Sequence, residues 1–188
     1  MKRREFAINS VAAASLASLP FAALAQKRKD AVVMGMTLEP PGLDPTAGAA
    51  SAIAEIVLYN IFETLTKINA DGTVSPLLAE SWEISPDLKT YTFKLRKGVK
   101  FQNGEPFNAN TVKFSFERAA AEKSTNKDKR TFASMERVGV VDEHTVVVIN
   151  KELNPDFLFL MGQATAVIVE PKSADSNATK PVGTGPYK

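Results

Sequence analysis

The side chains able to do chemistry in this chain are few and scattered. His144 is the one histidine, and there is no cysteine. The lack of cysteine removes thiolate nucleophiles, disulfides and cysteine-based zinc or iron–sulfur centres together. His144 follows Asp142 and Glu143 between two apolar runs, which reads as a solvated hairpin turn without metal-binding partners. A serine triad would need it beside an activated serine, yet no Gly-x-Ser-x-Gly elbow is present. A Gly-x-x-x-x-Gly-Lys-Ser/Thr loop is also missing, so the chain is not the ATPase of a transporter. The acids Glu80 and Glu83 flank Trp82 and, like Asp142 and Glu143, read as surface charge. Gly183-Thr184-Gly185 would suggest phosphate binding only ahead of a helix, and none follows. The expectation is no enzyme, no cofactor and no metal site.

The elements that would position any other site are easier to read. Residues 90–96 alternate, with Tyr91, Phe93 and Leu95 on one face and Thr92, Lys94 and Arg96 on the other. A period of two marks a half-buried strand. Ser85-Pro86-Asp87-Leu88 before it is turn chemistry, because proline presets one dihedral and Asp bonds the backbone ahead. Asn103-Gly104 supplies the next turn. Asn108 or Asn110 then caps a helix that carries Val112, Phe116 and Ala119 inward. Earlier, residues 31–37 form a short apolar strand before a proline-rich segment that cannot be helical. Ser51 is the expected N-cap of a helix reaching Thr64, with Ile53, Ile56, Val57 and Ile61 at helical spacing. Residues 123–130 are a charged run that reads as a solvated loop. Residues 138–141 and 145–149 form a hairpin, Asn154-Pro155 opens a short helix, and residues 165–169 form a last apolar strand. The regular spacing of Trp82, Tyr91, Phe93, Phe114 and Phe116 favours core packing over an aromatic ligand box.

Four blocks occur in order: Leu43-Asp44-Pro45, Ala79-Glu80-Ser81-Trp82, Asn103-Gly104-Glu105-Pro106-Phe107 and Gly183-Thr184-Gly185-Pro186-Tyr187. Together with the Thr90-Tyr91-Thr92-Phe93-Lys94-Leu95-Arg96 strand, they resemble the peptide/nickel class, family 5, of bacterial solute-binding proteins. These are extracytoplasmic receptors of ABC importers. The resemblance covers the chain beyond residue 26, yet only the front part of a family member. It implies an α/β fold: an incomplete periplasmic-binding-protein-like lobe of type II with an inserted α+β subdomain. Residues 26–64 would start lobe one, 65–170 would be the insertion and 171–188 the return, with the second lobe absent.

In such receptors a solute sits between two lobes that close by hinge motion. The resemblance carries the ligand contacts of lobe one onto Gly48, Ala49, Ala50 and Ser51, and onto Gln163, Ala164 and Thr165. Thr131-Phe132 is a third, weaker position. Both main segments are small or polar and abut element ends, where backbone groups are free. No Arg, His or Lys lies between Met161 and Val169, and residues 46–51 carry no aromatic or acid. A neutral half-pocket is therefore expected, which disfavours nickel chelates and leaves peptides or another small organic solute.

Residues 1–25 read as an export signal cleaved after Ala25. Lys2-Arg3-Arg4 is a basic start, 6–26 are uncharged, and Ala23-Leu24-Ala25 is an A-x-A site. A membrane anchor is the rival reading. Asn9, Ser10, Ser15, Ser18 and Pro20 make the stretch a poor fit to hydrocarbon. Arg3-Arg4-Glu5-Phe6 is similar to the twin-arginine pattern, although Lys2 and Ala7-Ile8 depart from it. Without a cysteine there is no lipid anchor, so a periplasmic monomer, untethered to a membrane, is expected. The chain has 23 basic and 21 acidic residues; outside the first five residues the two counts are equal, which leaves no footprint for nucleic acid.

The expected function is a solute-binding receptor delivering to an ABC permease in the inner membrane, present as an N-terminal part. Weak or absent solute binding is expected of this chain alone. The alternative is a truncated, non-transporting remnant or an interaction fragment.

Overall fold

The computed structural model describes residues 35–188. The export signal, its cleavage site and the arginine pair lie outside the described residues, as do residues 31–34 of the expected first strand. Met36 and Thr37 join no strand. In chain order the elements are α1 Ser51–Val57, β1 Thr66–Ile68, β2 Val74–Pro76, β3 Ala79–Ile84, β4 Thr90–Leu95 and α2 Ala109–Ala120. Then follow α3 Lys129–Ala133, β5 Met135–Asp142, β6 Thr145–Asn150 and α4 Phe157–Leu160.

The alternating strand is the axis of the fold. Tyr91, Phe93 and Leu95 of β4 are all buried, and β4 pairs antiparallel with β3 on one side and β6 on the other. The hairpin partner β5 closes a four-stranded sheet of order β3-β4-β6-β5. α2 packs over this sheet. Its cap is Asn108, whose side chain accepts from the amides of Asn110 at 3.0 Å and Thr111 at 3.2 Å. Thr111 Oγ1 in turn accepts from the Asn108 amide at 3.2 Å. Such a reciprocal cap contributes about 1 kcal/mol. It fixes the helical phase so that Val112, Phe116 and Ala119 face inward and are buried. Trp82 lies half-buried, its ring centroid 6.5 Å from that of Phe93, while Glu80 and Glu83 are exposed. The aromatics are core.

A second, smaller cluster gathers Ile53, Val57 and Phe62 with Val167, Val169 and Ala174. Two expected elements change shape around it. α1 starts at Ser51, with Ala50 as its cap and no side-chain cap bond. It stops at Val57 instead of Thr64, because Tyr59 adopts a left-handed φ of 63° and turns the chain back. Asn60 Nδ2 donates to Ile56 O at 2.8 Å and satisfies a carbonyl that the helix end leaves free. The expected strand 165–169 is instead a 3-10 turn, Ala164–Ala166, followed by extended residues without a ladder. Val167, Ile168 and Val169 are buried between both clusters. Their backbone bonds go to Glu63 O, 2.9 Å from Ile168 N, and to Ser115 Oγ, 3.0 Å from Val169 N. Burial from both sides, rather than strand pairing, explains this apolar run.

The final residues return to the start of this cluster. Gly185 N donates to Ile61 O and Tyr187 N to Asn60 O, each at 2.9 Å. A Cβ on Gly183 would fall 1.9 Å from Ile61 O, so only glycine allows this approach.

Candidate functional site

Asp44 sets the first wall of the site. Pro45 follows it and biases the Asp44 backbone away from helix toward an extended conformation. Buried Asp44 Oδ1 therefore accepts from the Thr46 amide at 2.8 Å and the Thr46 hydroxyl at 2.6 Å. Its other oxygen, Oδ2, lies 3.2 Å from Arg118 Nη2. Arg118 also donates to Thr46 Oγ1, and to Ala174 O at 3.2 Å. One guanidinium on α2 thus locks the turn that leads into residues 48–51, an arrangement suited to its forked donors.

The second wall comes off α4. Gly162 N donates to Phe159 O at 3.0 Å and Gln163 N to Leu160 O at 3.2 Å, which ends the helix and leads into residues 163–165. The far end of this segment is held by Glu170, which is 2 % exposed. Its carboxylate accepts from Asn103 Nδ2 at 3.1 Å and from the amides of Lys172 at 2.9 Å and Ser173 at 3.0 Å. Burial alone would push its pKa up. These N–H donors outweigh burial and hold it below the usual carboxylate range.

Gly48, Ala49, Ala50 and Ser51 face Gln163, Ala164 and Thr165 across one cleft of about 180 Å³. All seven candidate residues are brought together, although more than a hundred positions separate the two groups in the chain. Ala49, Ala50 and Ser51 are exposed, Gly48 and Gln163 half-buried, and Ala164 and Thr165 buried. Phe132 belongs elsewhere: it is a core residue, its ring 5.6 Å from that of Phe116.

The neutral half-pocket is corrected by the charged run: residues 125–128 bond both walls of the cleft, with Asn126 buried while Thr125 and Lys127 stay exposed. Thr125 Oγ1 donates to Ala47 O at 3.1 Å, on the first wall. Asn126, 5 % exposed, donates from Nδ2 to Thr165 O at 3.0 Å, on the second. Thr165 Oγ1 donates to Asp128 Oδ2 at 2.7 Å. Lys127, between these anchors, lines the cleft, and its ammonium lies 3.3 Å from Asp128 Oδ2. Sequence reading missed it because polar composition alone looks like any loop. Only the alternation of short hydrogen-bonding residues around Lys127 hinted at docking.

His144 sits at the β5–β6 turn, away from the cleft, and its turn partners Asp142 and Glu143 are exposed. Among the described residues, no group of three or more His, Asp or Glu gathers to hold a metal ion, and no helix is long and apolar enough to cross a membrane.

Residues 73–188 match the family model described as bacterial extracellular solute-binding proteins, family 5 Middle. The chain is 33% identical over 193 residues to the glutathione-binding protein GsiB of Pectobacterium atrosepticum, covering 100% of this chain and 36% of that protein. It is 34% identical to the di/tripeptide-binding protein 1 of Pseudomonas aeruginosa, covering 79% of this chain and 33% of that one. The chain therefore spans about a third of the length of these curated relatives. Among solved structures, the binding protein AgaA from A. tumefacien R10, in complex with agropinic acid, superposes with a TM-score of 0.74 at 32% identity. That match covers 80% of this chain and 31% of AgaA, so the mixed α/β fold is shared. The chain belongs to the bacterial extracellular solute-binding proteins of family 5.

Proposed function

We propose that this chain forms one wall of the solute cleft of an exported receptor that feeds an ABC importer. The solute is a peptide or a similar small organic molecule. The observation that carries this reading is the meeting of residues 48–51 with 163–165 across a single cleft. Glutathione and short peptides, named for the two curated relatives, support the same solute class.

The mechanism is capture without bond chemistry. Small side chains on residues 48–51 leave backbone groups accessible to an extended solute, while Gln163 adds an amide with both donor and acceptor. A second lobe closing over this wall would bury the solute, and a permease in the inner membrane would receive it. In this reading residues 65–170 are the inserted subdomain, flanked by 26–64 and 171–188 of lobe one. Residues 1–25 direct export to the periplasm, with the twin-arginine route and cleavage after Ala25, and the released protein is a monomer.

The test is an amide-resolved NMR titration of the chain with di- and tripeptides. The expected result is fast-exchange shifts at residues 48–51 and 163–165, with affinity near or weaker than about 1 mM for one wall alone. Shifts confined to other surfaces, or none at about ten times that concentration, would refute the reading.

A further inference from the structure

The charge on this wall comes from an element that the fold holds there deliberately. Lys127 is flanked by Thr125, bonded to one wall at Ala47 O, and by Asn126 and Asp128, bonded to the other at Thr165. Its backbone is thus fixed from both sides, while its side chain remains half exposed. Asp128 is the nearest acid, but its Oδ2 is already shared between Thr165 Oγ1 and the ammonium. An ammonium has three N–H donors, so one bond to Asp128 leaves Lys127 able to donate to a ligand. The other cleft-lining residues are uncharged.

We infer that Lys127 is a specificity residue that selects solutes carrying a carboxylate on this side of the cleft, such as the C-terminus of a short peptide. This rests on the cleft reading proposed above. Lys127 is the one charged side chain among the described residues lining the cleft, so the same wall repels a ligand ammonium. A solute therefore enters with its anionic end toward residues 125–128 and its amine toward the opposing lobe. Because Lys127 is half exposed, the preference is modest and weakens with added salt.

Trialanine and trialanine amide provide the test, titrated into the isotope-labelled chain at low salt while the amides of 48–51 and 163–165 are followed. The wild type should bind the free carboxylate about threefold to fivefold more tightly than the amide, as an exposed ion pair allows. K127Q should equalise the two probes, K127R should keep the preference, and K127E should reverse it. Because Lys127 is exposed, all three variants should keep the wild-type melting midpoint. Equal affinity of the wild type for both probes, or an unchanged preference in K127Q, would overturn the role of Lys127 while leaving the cleft intact. If neither probe moves the cleft amides, the cleft reading itself fails and this inference falls with it.

Discussion

Arg118 Nη2 lies 3.2 Å from Asp44 Oδ2, a contact across 74 positions that ties helix α2 to the turn before the cleft. The carboxylate is 4 % exposed and the arginine side chain 25% exposed, so the pair is desolvated mainly on the acid side. With the bonds of Arg118 to Thr46 and Ala174, this contact anchors the turn that leads into the cleft wall.

Replacing the arginine should therefore cost more than replacing both partners. R118A leaves Asp44 buried with only Thr46 to donate to it, and a loss of about 2–3 kcal/mol is expected. That lies below the range for a fully buried pair because part of Arg118 meets water. D44N in the R118A background should recover part of this loss. Urea midpoints at unchanged m-value read both effects.

Gly183→Ala should be among the most damaging single-methyl additions in the chain. Its Cβ would meet Ile61 O at 1.9 Å, so the returning segment has to separate from Asn60 and Ile61. The expected cost is about 2–4 kcal/mol. Loss of hydrogen-exchange protection at the Gly185 and Tyr187 amides, which bond Ile61 O and Asn60 O, would accompany it. A variant that melts like the wild type would refute the close approach.

Glu170 makes stability depend on pH. Its folded pKa is held below the ordinary carboxylate value by the N–H donors around it, so its contribution is fully present above that ordinary, unfolded value. It is lost as pH falls through the lower folded value. Asp71, Asp87 and Asp142 are also lowered by local hydrogen bonds and share the same sign. The informative quantity is therefore the difference between wild type and E170Q. It should be largest at neutral pH and shrink as acid is added.

Asn126→Ala should loosen the docked loop. Removing Nδ2 leaves Thr165 O buried without its donor, an expected cost of about 1–3 kcal/mol. Peptide-induced shifts at 163–165 should weaken in parallel, whereas an unaffected cleft would mean that the loop does not support it.

Much of this was legible from residue spacing. The alternation of Tyr91, Phe93 and Leu95 fixes β4, and a short polar cap at Asn108 or Asn110 marks the start of α2, because both signals are local; the bonds to Thr111 then select Asn108. What escaped was set by distant partners. Nothing near Tyr59 announces a left-handed turn that stops α1, and no local feature tells that residues 167–169 find Glu63 and Ser115 instead of a strand. The docking of Lys127 depends on Asn126 meeting Thr165, 39 positions away. The two cleft segments were identified by resemblance to a family; composition alone leaves them ordinary loops.

The most direct measurement of the central claim uses a tripeptide carrying a nitroxide spin label, added to the isotope-labelled chain. Paramagnetic broadening reports proximity, so it separates direct contact from shifts transmitted through the fold. The expected result is simultaneous broadening of Gly48, Ala49, Ala50 and Ser51 together with Gln163, Ala164 and Thr165, relieved by unlabelled peptide. Broadening of only one group, or of a surface away from both, would contradict the account.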